Sequence, residues 1–342
     1  MIPRFIYTCL LLTPAFVCEC GGATSDSTSG NSSTPKGATT LAQVDDDSLN
    51  FVASNSDGIY WSNFVHGGIF RISRDATGLT QLNADLNPDA LSATDGRLYW
   101  RSYTDATLSN SRLSTSLDDG SQRQDDASGF EMTVGSWNTG TWTVPSDGQY
   151  IYWLSAPPDG STQHILRVAI SDGTQEVLYE RTDNVGIGLV WLAANTLYFN
   201  DNNGVHSVDL ATKAEADALA TNFTVVNPVY IGSDFYFVGN SPDVAPLTGL
   251  FRVQAGVASR IGSLDWDASY LRAAGDGSPY IYLLDRHDAS VVKIHRYDTT
   301  NDTFITLQEF QGESSISNII VDGDYLVFGL RNRVMRMPKN PQ

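Results

Sequence analysis

Asp147-Gly-Gln-Tyr-Ile-Tyr-Trp153 is the stretch that decides the fold, because versions of it return along the whole chain. Two close copies precede it, Asp57-Gly-Ile-Tyr-Trp61 and Asp95-Gly-Arg-Leu-Tyr-Trp100. Weaker copies lie at Asn195–Phe199, Ser233–Phe237, Asp276–Leu283 and Asp322–Phe328. Self-similarity with a spacing of about 40 residues is the signature of an array of identical supersecondary units.

One repeat, residues 49–83, contains four short runs that are apolar or alternate between apolar and polar residues. These runs predict four strands, Leu49–Ala53, Ile59–Trp61, Gly68–Ile72 and Leu79–Leu82. Asp57-Gly58 separates the first two runs, and this pair favours a tight hairpin turn whose two central residues have positive φ. Four-stranded antiparallel units that repeat radially form a β-propeller.

The sequence therefore predicts an all-β, seven-bladed β-propeller of four-stranded antiparallel blades, with six or eight blades as alternatives. The last repeat ends near Pro338 after only three strands, whereas Thr39–Val44 is apolar at alternate positions and otherwise unassigned. We expect this N-terminal strand to complete the last blade and so remove the unpaired edge. Ala211–Ala220 has the composition of a helix but lies where a fourth strand belongs, and we interpret it as an irregular strand.

A second recurring signature is an arginine flanked by apolar residues on the third strands. It occurs at Arg71, Arg112, Arg167, Arg252, Arg296 and Arg336. We expect these arginines to reach acidic residues across blade boundaries, because a guanidinium can pair with a carboxylate in a forked geometry.

Together, the Tyr-Trp pair after an Asp-Gly turn and the later arginine strand resemble the Tyr-Trp-Thr-Asp propeller repeat of low-density-lipoprotein-receptor proteins. They are also similar to related propellers of bacterial lipoproteins, over residues 39–338. Ser62-Asn63, Arg101-Ser102 and Leu154-Ser155 stand where Thr-Asp would be, and the cysteine-rich modules of the receptors are absent. The bacterial group is the better match, and the resemblance implies a fold rather than an activity.

The N-terminal sequence is typical of a targeting segment. Residues 1–20 combine Arg4 with a short apolar run, Phe5–Val17, which predicts a signal peptide. All three cysteines, Cys9, Cys18 and Cys20, lie in this segment, so the remaining chain can form no disulfide. The segment resembles a bacterial lipoprotein signal with Cys20 or Cys18 as the lipidated residue, and ordinary cleavage after Ala23 is the alternative.

After the targeting segment, residues 21–38 are rich in Ser, Thr and Gly and predict a flexible tether, followed by a single propeller domain at 39–342. We expect an exported protein, either in the bacterial cell envelope as an outer-membrane lipoprotein or extracellular. Membrane contact would then occur only through the lipid anchor.

Composition excludes several partners. The formal net charge is −18 and the pI about 4.4. This charge disfavours a nucleic-acid partner, because binding phosphates needs a basic surface. It also disfavours electrostatic binding to anionic membrane surfaces, which attract cations. Asp45-Asp46-Asp47 suggests calcium, but no calcium-loop spacing accompanies it. The five histidines have no metal-ligand spacing. We predict no metal, no cofactor and a monomer.

Any ligand site is expected where the repeats differ. In a propeller, the first-to-second and third-to-fourth turns share one face, and the longer connections share the other. Length varies on the second face, at Gln122–Gly140, Ala156–Gln163 and Gly239–Thr248. Trp137 and the cluster Asp265-Trp266-Asp267 lie on this loop-rich face and are our candidate ligand-binding residues, suited to a carbohydrate or a basic peptide. The alternative is that these tryptophans fold back as local plugs.

These observations favour a surface-tethered or secreted propeller that binds a protein or glycan and does no catalysis, and they nominate no catalytic residue. The alternative is a secreted propeller enzyme, similar to a polysaccharide lyase or glycosidase, with paired acids, or a tyrosine or histidine with neighbours, converging at the channel mouth. A purely structural envelope component is a third reading.

Overall fold

A computed structural model of the chain describes residues 37–44, 49–85, 87–94, 96–103, 111–125, 145–155, 162–182, 187, 190–201, 203–219, 223–232, 234–240, 248–262, 271–288, 290–313 and 315–340. Cys18, Cys20 and the rest of the predicted signal peptide and tether up to residue 36 lie outside these ranges, so lipidation stays a prediction. Within the described ranges, no helix is long and apolar enough to cross a membrane.

The described strands form seven separate antiparallel sheets, each built from strands that are consecutive in the chain except at the last blade. The N-terminal strand is β1 (Thr39–Gln43). Blade 1 contains β2 (Leu49–Asn55), β3 (Gly58–Asn63), β4 (Ile69–Ile72) and β5 (Thr80–Asn83). Blade 2 contains β6 (Asp89–Thr94), β7 (Arg97–Tyr103), β8 (Ser111–Leu117) and β9 (Gln124–Asp125). Blade 3 contains β10 (Tyr150–Ser155), β11 (Gln163–Ala169) and β12 (Gln175–Arg181), and its predicted inner strand, 142–144, lies outside the described residues.

The remaining blades follow the same frame. Blade 4 contains β13 (Val190–Ala193), β14 (Thr196–Asp201), β15 (Gly204–Asp209) and β16 (Glu215–Leu219). Blade 5 contains β17 (Thr224–Ile231), β18 (Asp234–Asn240), β19 (Thr248–Gln254) and β20 (Val257–Ile261). Blade 6 contains β21 (Leu271–Ala274), β22 (Tyr280–Asp288), β23 (Val291–Asp298) and β24 (Thr303–Gln311). Blade 7 contains β25 (Ile316–Asp322), β26 (Tyr325–Leu330) and β27 (Arg333–Pro338).

The N-terminal strand completes blade 7, as the sequence predicts. β1 pairs antiparallel with β27, from Thr39 opposite Arg336 to Gln43 opposite Arg333. Just beyond this pairing, the Val44 amide donates to the Asn332 carbonyl at 2.8 Å. The chain is thus an all-β, seven-bladed propeller whose two ends share one sheet.

The helix-like composition of Ala211–Ala220 does not produce a helix. Glu215–Leu219 forms β16, the outer strand of blade 4, with Ser207 opposite Ala216 and Val208 opposite Glu215. Pairing along the free edge of β15 outweighs the weak local helix preference. The prediction of a strand here is confirmed.

Aromatic residues of the second strands fill the spaces between blades. Tyr60 and Trp100 are fully buried and belong to one cluster with Phe51 and Leu91, which joins blade 1 to blade 2. Side chains of this size contribute a large share of the apolar area buried in a core. The recurring Tyr-Trp phrase is therefore the packing element between neighbouring sheets.

Two of the third-strand arginines do not form the pairs across blade boundaries that the sequence predicts. Arg112 pairs with Asp125 at 3.1 Å, and Arg167 pairs with Glu176, in each case within a single blade. The Arg167 guanidinium also lies 4.5 Å from the ring centre of Tyr150 on its own second strand. Such cation–π stacking holds the guanidinium over its own sheet, so the predicted pairing with acids across blade boundaries is wrong for these residues.

The first turn of blade 1 differs from the predicted hairpin, because Gly58 does not have the positive φ that the sequence predicts for it. β2 ends at Asn55 and β3 begins at Gly58, so Ser56 and Asp57 form the turn. Gly58 does not have positive φ, but a Cβ there would meet the Ile72 carbonyl oxygen at 2.9 Å. Glycine is needed at this position for close approach of two backbones rather than for the turn itself.

Candidate ligand-binding site

A cavity of about 730 Å³ occupies the centre of the propeller, and every blade contributes to its wall. Its volume falls in the range of small-molecule sites, about 300–1,000 Å³. The wall includes, from blade 1 to blade 7, Ala53, Ser92, Ser146, Trp191, Asn227, Ala273 and Asn318.

The cavity lies toward one end of the propeller. It is lined by the C-terminal halves of the inner strands, and in blades 4 and 5 it reaches Ala194 and Gly232, which directly follow those strands. Turns from first to second strands lie at this end, which we call the turn face. The opposite end, with the longer connections, is the loop face.

The described wall of the cavity carries no charged side chain. Its polar groups are neutral: the hydroxyls of Ser54, Ser92, Ser146, Thr196, Tyr198 and Tyr230, and the amides of Asn227 and Asn318. A chain with 18% charged residues thus surrounds an uncharged space. This part of the wall offers hydrogen bonds but no carboxylate or histidine for general acid–base chemistry.

One side of the cavity is aromatic. Trp191 and Tyr198 of blade 4 stack with ring centres 5.8 Å apart, and Tyr230 and Phe235 of blade 5 stack at 4.9 Å. Tyr198 and Tyr230 bring the two pairs together at 5.2 Å. We call these four residues the aromatic shelf, of which Trp191, Tyr198 and Tyr230 line the cavity and Phe235 is buried behind them.

Polar groups tie the aromatic shelf together across the boundary between blades 4 and 5. The Trp191 indole N–H donates to the Tyr230 hydroxyl at 3.3 Å. Burial strongly raises the pKa of the Tyr230 hydroxyl, so this group is neutral at any ordinary pH. Tyr198 and Tyr230 are both half-buried and line the cavity.

Two asparagines occupy matching places on inner strands and differ in their hydrogen bonds. The Asn318 side chain accepts from the Val52 amide at 2.7 Å and donates to the Val52 carbonyl at 2.8 Å. Asn227 accepts from the Ala273 amide at 3.2 Å, but its Nδ2 has no hydrogen-bond partner among the described residues. Asn227 is 8% exposed and lines the cavity.

The candidate residues proposed from sequence, Trp137 and Asp265-Trp266-Asp267, lie outside the described residues. Their role stays a prediction. Sequence reasoning missed Trp191, Tyr230 and Asn227, because large residues on inner strands look like ordinary core residues. The available signal for Trp191 and Tyr230 was their size, since blades 1 and 2 carry alanine or serine at the matching positions, and Asn227 gave no such signal.

A charged cluster lies away from the cavity, where blade 3 meets blade 4. The carboxylate of Asp201 is fully buried and pairs with Arg181, and it lies 3.0 Å from His206 Nε2. The other ring nitrogen of His206 is 2.9 Å from Asp217. Among the described residues, no group of three or more His, Cys, Asp or Glu side chains could hold a metal ion.

Comparison with known proteins identifies the fold alone. No protein-family model matches the sequence, and no curated protein matches it. Among solved structures, the propeller domain of the Trilobed protease from Pyrococcus furiosus is 10% identical, with a TM-score of 0.60 over 86% of this chain and 96% of that one. An oligogalacturonate lyase in complex with manganese is 12% identical, with a TM-score of 0.53 over 91% of this chain and 95% of that one.

A third structural neighbour is a chain of a mitotic checkpoint complex. It is 10% identical, with a TM-score of 0.58 over 96% of this chain and 99% of that one. The neighbours include both enzymes and non-catalytic propellers. This chain is therefore a seven-bladed propeller with distant similarity to various propellers, and the similarity assigns no family.

Proposed function

We propose that this protein is a non-catalytic binding module, tethered to the cell surface or secreted, whose ligand is a glycan or protein that enters the central cavity from the turn face. The observation that carries the proposal is the uncharged wall of a cavity of about 730 Å³. Concave sites of this size with a few convergent polar groups are the usual form of a ligand site.

The same wall disfavours catalysis in the cavity. Glycoside hydrolysis needs a pair of carboxyl groups on opposite sides of the scissile bond. The β-elimination of a polysaccharide lyase and the hydrolysis of a glycosidase both require an acid or base within hydrogen-bonding reach of the substrate. The described residues around the cavity supply no carboxylate or histidine. The hydroxyls of Tyr198 and Tyr230 are the candidate acid–base groups there, and burial raises the pKa of the Tyr230 hydroxyl, which disfavours its ionised form.

The N-terminal sequence supports export. Its apolar run and its cysteines resemble a lipoprotein signal, with Cys20 or Cys18 as the anchor. A tether rich in Ser, Thr and Gly would hold the propeller away from the membrane. We expect Cys20→Ala or Cys18→Ala to release the protein from the membrane fraction.

A binding screen combined with an activity screen tests the proposal. Purified full-chain protein is applied to glycan and peptide arrays, and the same protein is incubated with polysaccharides whose reducing ends and unsaturated products are then measured. We expect binding to at least one class of ligand without cleavage. Cleavage of a polysaccharide would overturn the proposal and favour the enzyme.

The loop-face candidates are tested in the same screen. Trp137→Ala and Trp266→Ala alter that face, whereas Tyr230→Ala alters the cavity. If only the first two variants lose binding, then the ligand site lies on the loop face and the cavity is not the site.

A further inference from the structure

We propose that the aromatic shelf is a subsite for a neutral carbohydrate, with one sugar ring lying against Tyr198 and Tyr230 and its hydroxyls bonded to neutral groups of the cavity wall. This inference rests on the proposed function and narrows its ligand to one chemical class. It is carried by the register of the inner strands, by the hydrogen bonds of Asn227 and by the absence of charge in the described wall.

The register shows that Trp191 is an exception among the blades. Trp191 pairs with Tyr198 on the second strand. The corresponding inner-strand partners of second-strand tyrosines are Ala53, Ser92, Val229 and Ala274. Blades 1, 2 and 6 therefore place alanine or serine where blade 4 places the largest side chain, and blades 5 and 7 place Val229 and Ile320 there.

Tyr230 is the matching exception in blade 5, one position further along its strand. It pairs with Phe235, where the equivalent inner-strand residues of blades 1 and 2 are Ser54 and Ala93. The two large rings are therefore neighbours across one blade boundary, while the described remainder of the wall carries aliphatic and small polar residues but no other aromatic ring beyond Tyr198. Trp191 also belongs to the core cluster at this boundary, with Tyr198 and Tyr230 packed against it, so these rings pack the two blades together as well as lining the cavity.

Asn227 supplies the second, independent observation. It is more than nine-tenths buried, lines the cavity, and has an unpaired donor, Nδ2, among the described residues. An unpaired buried donor costs about 1–3 kcal/mol. Asn318, its counterpart in blade 7, has both side-chain groups paired, so the missing bond is particular to the blade that carries Tyr230.

Backbone geometry agrees with a local role for Asn227. Its φ is 49°, and Ala90 has the same φ of 49° at the matching position of blade 2. The conformation therefore does not need an asparagine. Because Nδ2 is shielded from solvent, a bond to a ligand requires rotation about the soft χ2 torsion, which also moves Oδ1 relative to the Ala273 amide.

The chemistry of the wall selects the ligand class. Aromatic rings stack on flat apolar faces, hydroxyls and amides bond to hydroxyl-rich ligands, and an uncharged wall gives no partner to an ion, whose burial without a partner is costly. A neutral sugar has both a flat apolar face and many hydroxyls. An acidic saccharide or a charged peptide side chain would lose hydration without gaining an ion pair.

The test is a calorimetric titration of the full-chain protein with neutral hexose oligosaccharides (glucans, mannans and galactans) and with acidic oligogalacturonate. We expect at least one neutral oligosaccharide to bind, with little dependence on salt concentration, and oligogalacturonate not to bind. Tyr230→Ala should weaken binding about tenfold, which is the scale of one lost stacking contact. Tyr230→Phe and Asn227→Ala should each weaken it severalfold.

Tyr325→Ala is the control, because Tyr325 is an exposed tyrosine that does not line the cavity, whereas Tyr230 is half-buried in its wall. We expect this variant to bind within about twofold of the wild type. Circular dichroism and thermal unfolding establish that each variant is folded. Tyr230→Phe keeps the ring, so its titration remains informative even if Tyr230→Ala does not fold.

The outcomes separate this inference from the proposed function. If Tyr230→Ala, Tyr230→Phe and Asn227→Ala all bind neutral saccharides with the affinity of the wild type, the proposed subsite is wrong. The proposal of a binding module is then unaffected. If only peptides bind, or only acidic saccharides bind, the carbohydrate class proposed here is wrong. Cleavage of a polysaccharide overturns the proposed function itself.

Discussion

Asn318 joins the last blade to the first by two hydrogen bonds to one residue, Val52. Its Oδ1 accepts from the Val52 amide at 2.7 Å, and its Nδ2 donates to the Val52 carbonyl at 2.8 Å. Both backbone groups lie on the free side of an inner strand, where no ladder partner exists. The ring is therefore fastened near its axis by Asn318 and at its rim by β1.

Removing this side chain should destabilise the whole propeller. Asn318→Ala leaves a buried N–H and a buried carbonyl without partners, and we expect a loss of about 2–4 kcal/mol in the free energy of unfolding. Urea denaturation followed by circular dichroism measures it. Asn227→Ala is the matched control, because it loses one bond and removes an unpaired donor, and its cost should be below about 1 kcal/mol. Equal losses in the two variants would contradict this account.

The rim closure can be tested by truncation. Deleting residues 1–36 should leave the melting temperature almost unchanged, whereas deleting residues 1–44 removes β1 and exposes the edge of β27. Ala38, Leu41 and Ala42 are buried in that contact, so we expect the longer deletion to lower the melting temperature by roughly 10 °C or more and to promote aggregation. Similar melting temperatures for both deletions would show that blade 7 does not depend on β1.

Asp118 should make stability depend on pH between about pH 4 and pH 7. Burial, and then hydrogen bonding to the Asp57 carboxyl, raises the pKa of Asp118 from 3.8 to about 6. The folded state thus holds a proton that the unfolded state releases, so the contribution of Asp118 to stability is fully present below pH 4 and is lost as the pH rises through 6.

Asp118→Asn should therefore be more stable than the wild type at pH 7, by roughly 1–3 kcal/mol, with the difference disappearing near pH 4. Denaturation curves of both proteins at several pH values in this range provide the measurement. A variant less stable than the wild type at every pH would show that the carboxylate is needed and that its burial carries no penalty.

Arg181 balances the fully buried carboxylate of Asp201. Arg181→Met keeps the apolar contacts of the side chain but removes the cation that faces the carboxylate, and leaves His206 Nε2, 3.0 Å away, as its neighbour. We expect a loss of about 3–5 kcal/mol. The double variant Arg181→Met, Asp201→Asn should recover a large part of this loss, and a double-mutant cycle in urea measures the coupling. Additive effects would mean that the pair is not coupled.

The sequence by itself determined the secondary structure of each blade. The phrase Asp147–Trp153 and its copies predict a turn and a β-rich second strand, which depend on neighbours within one repeat, and an aromatic that packs against the next repeat. The outer strand of blade 7 was also predictable, because Thr39–Gln43 had no other partner. Repetition made these local signals reliable, since each repeat tests the same interpretation again.

Only the tertiary structure decided how the blades differ around the axis. The partners of Arg112 and Arg167, the unpaired amide of Asn227 and the meeting of Trp191 with Tyr230 all depend on distances between strands or blades. Trp191 and Tyr230 are 39 positions apart, and neither is unusual in its own repeat until the inner strands are aligned by their pairing. A cavity is the space left between seven inner strands, and no single repeat contains it.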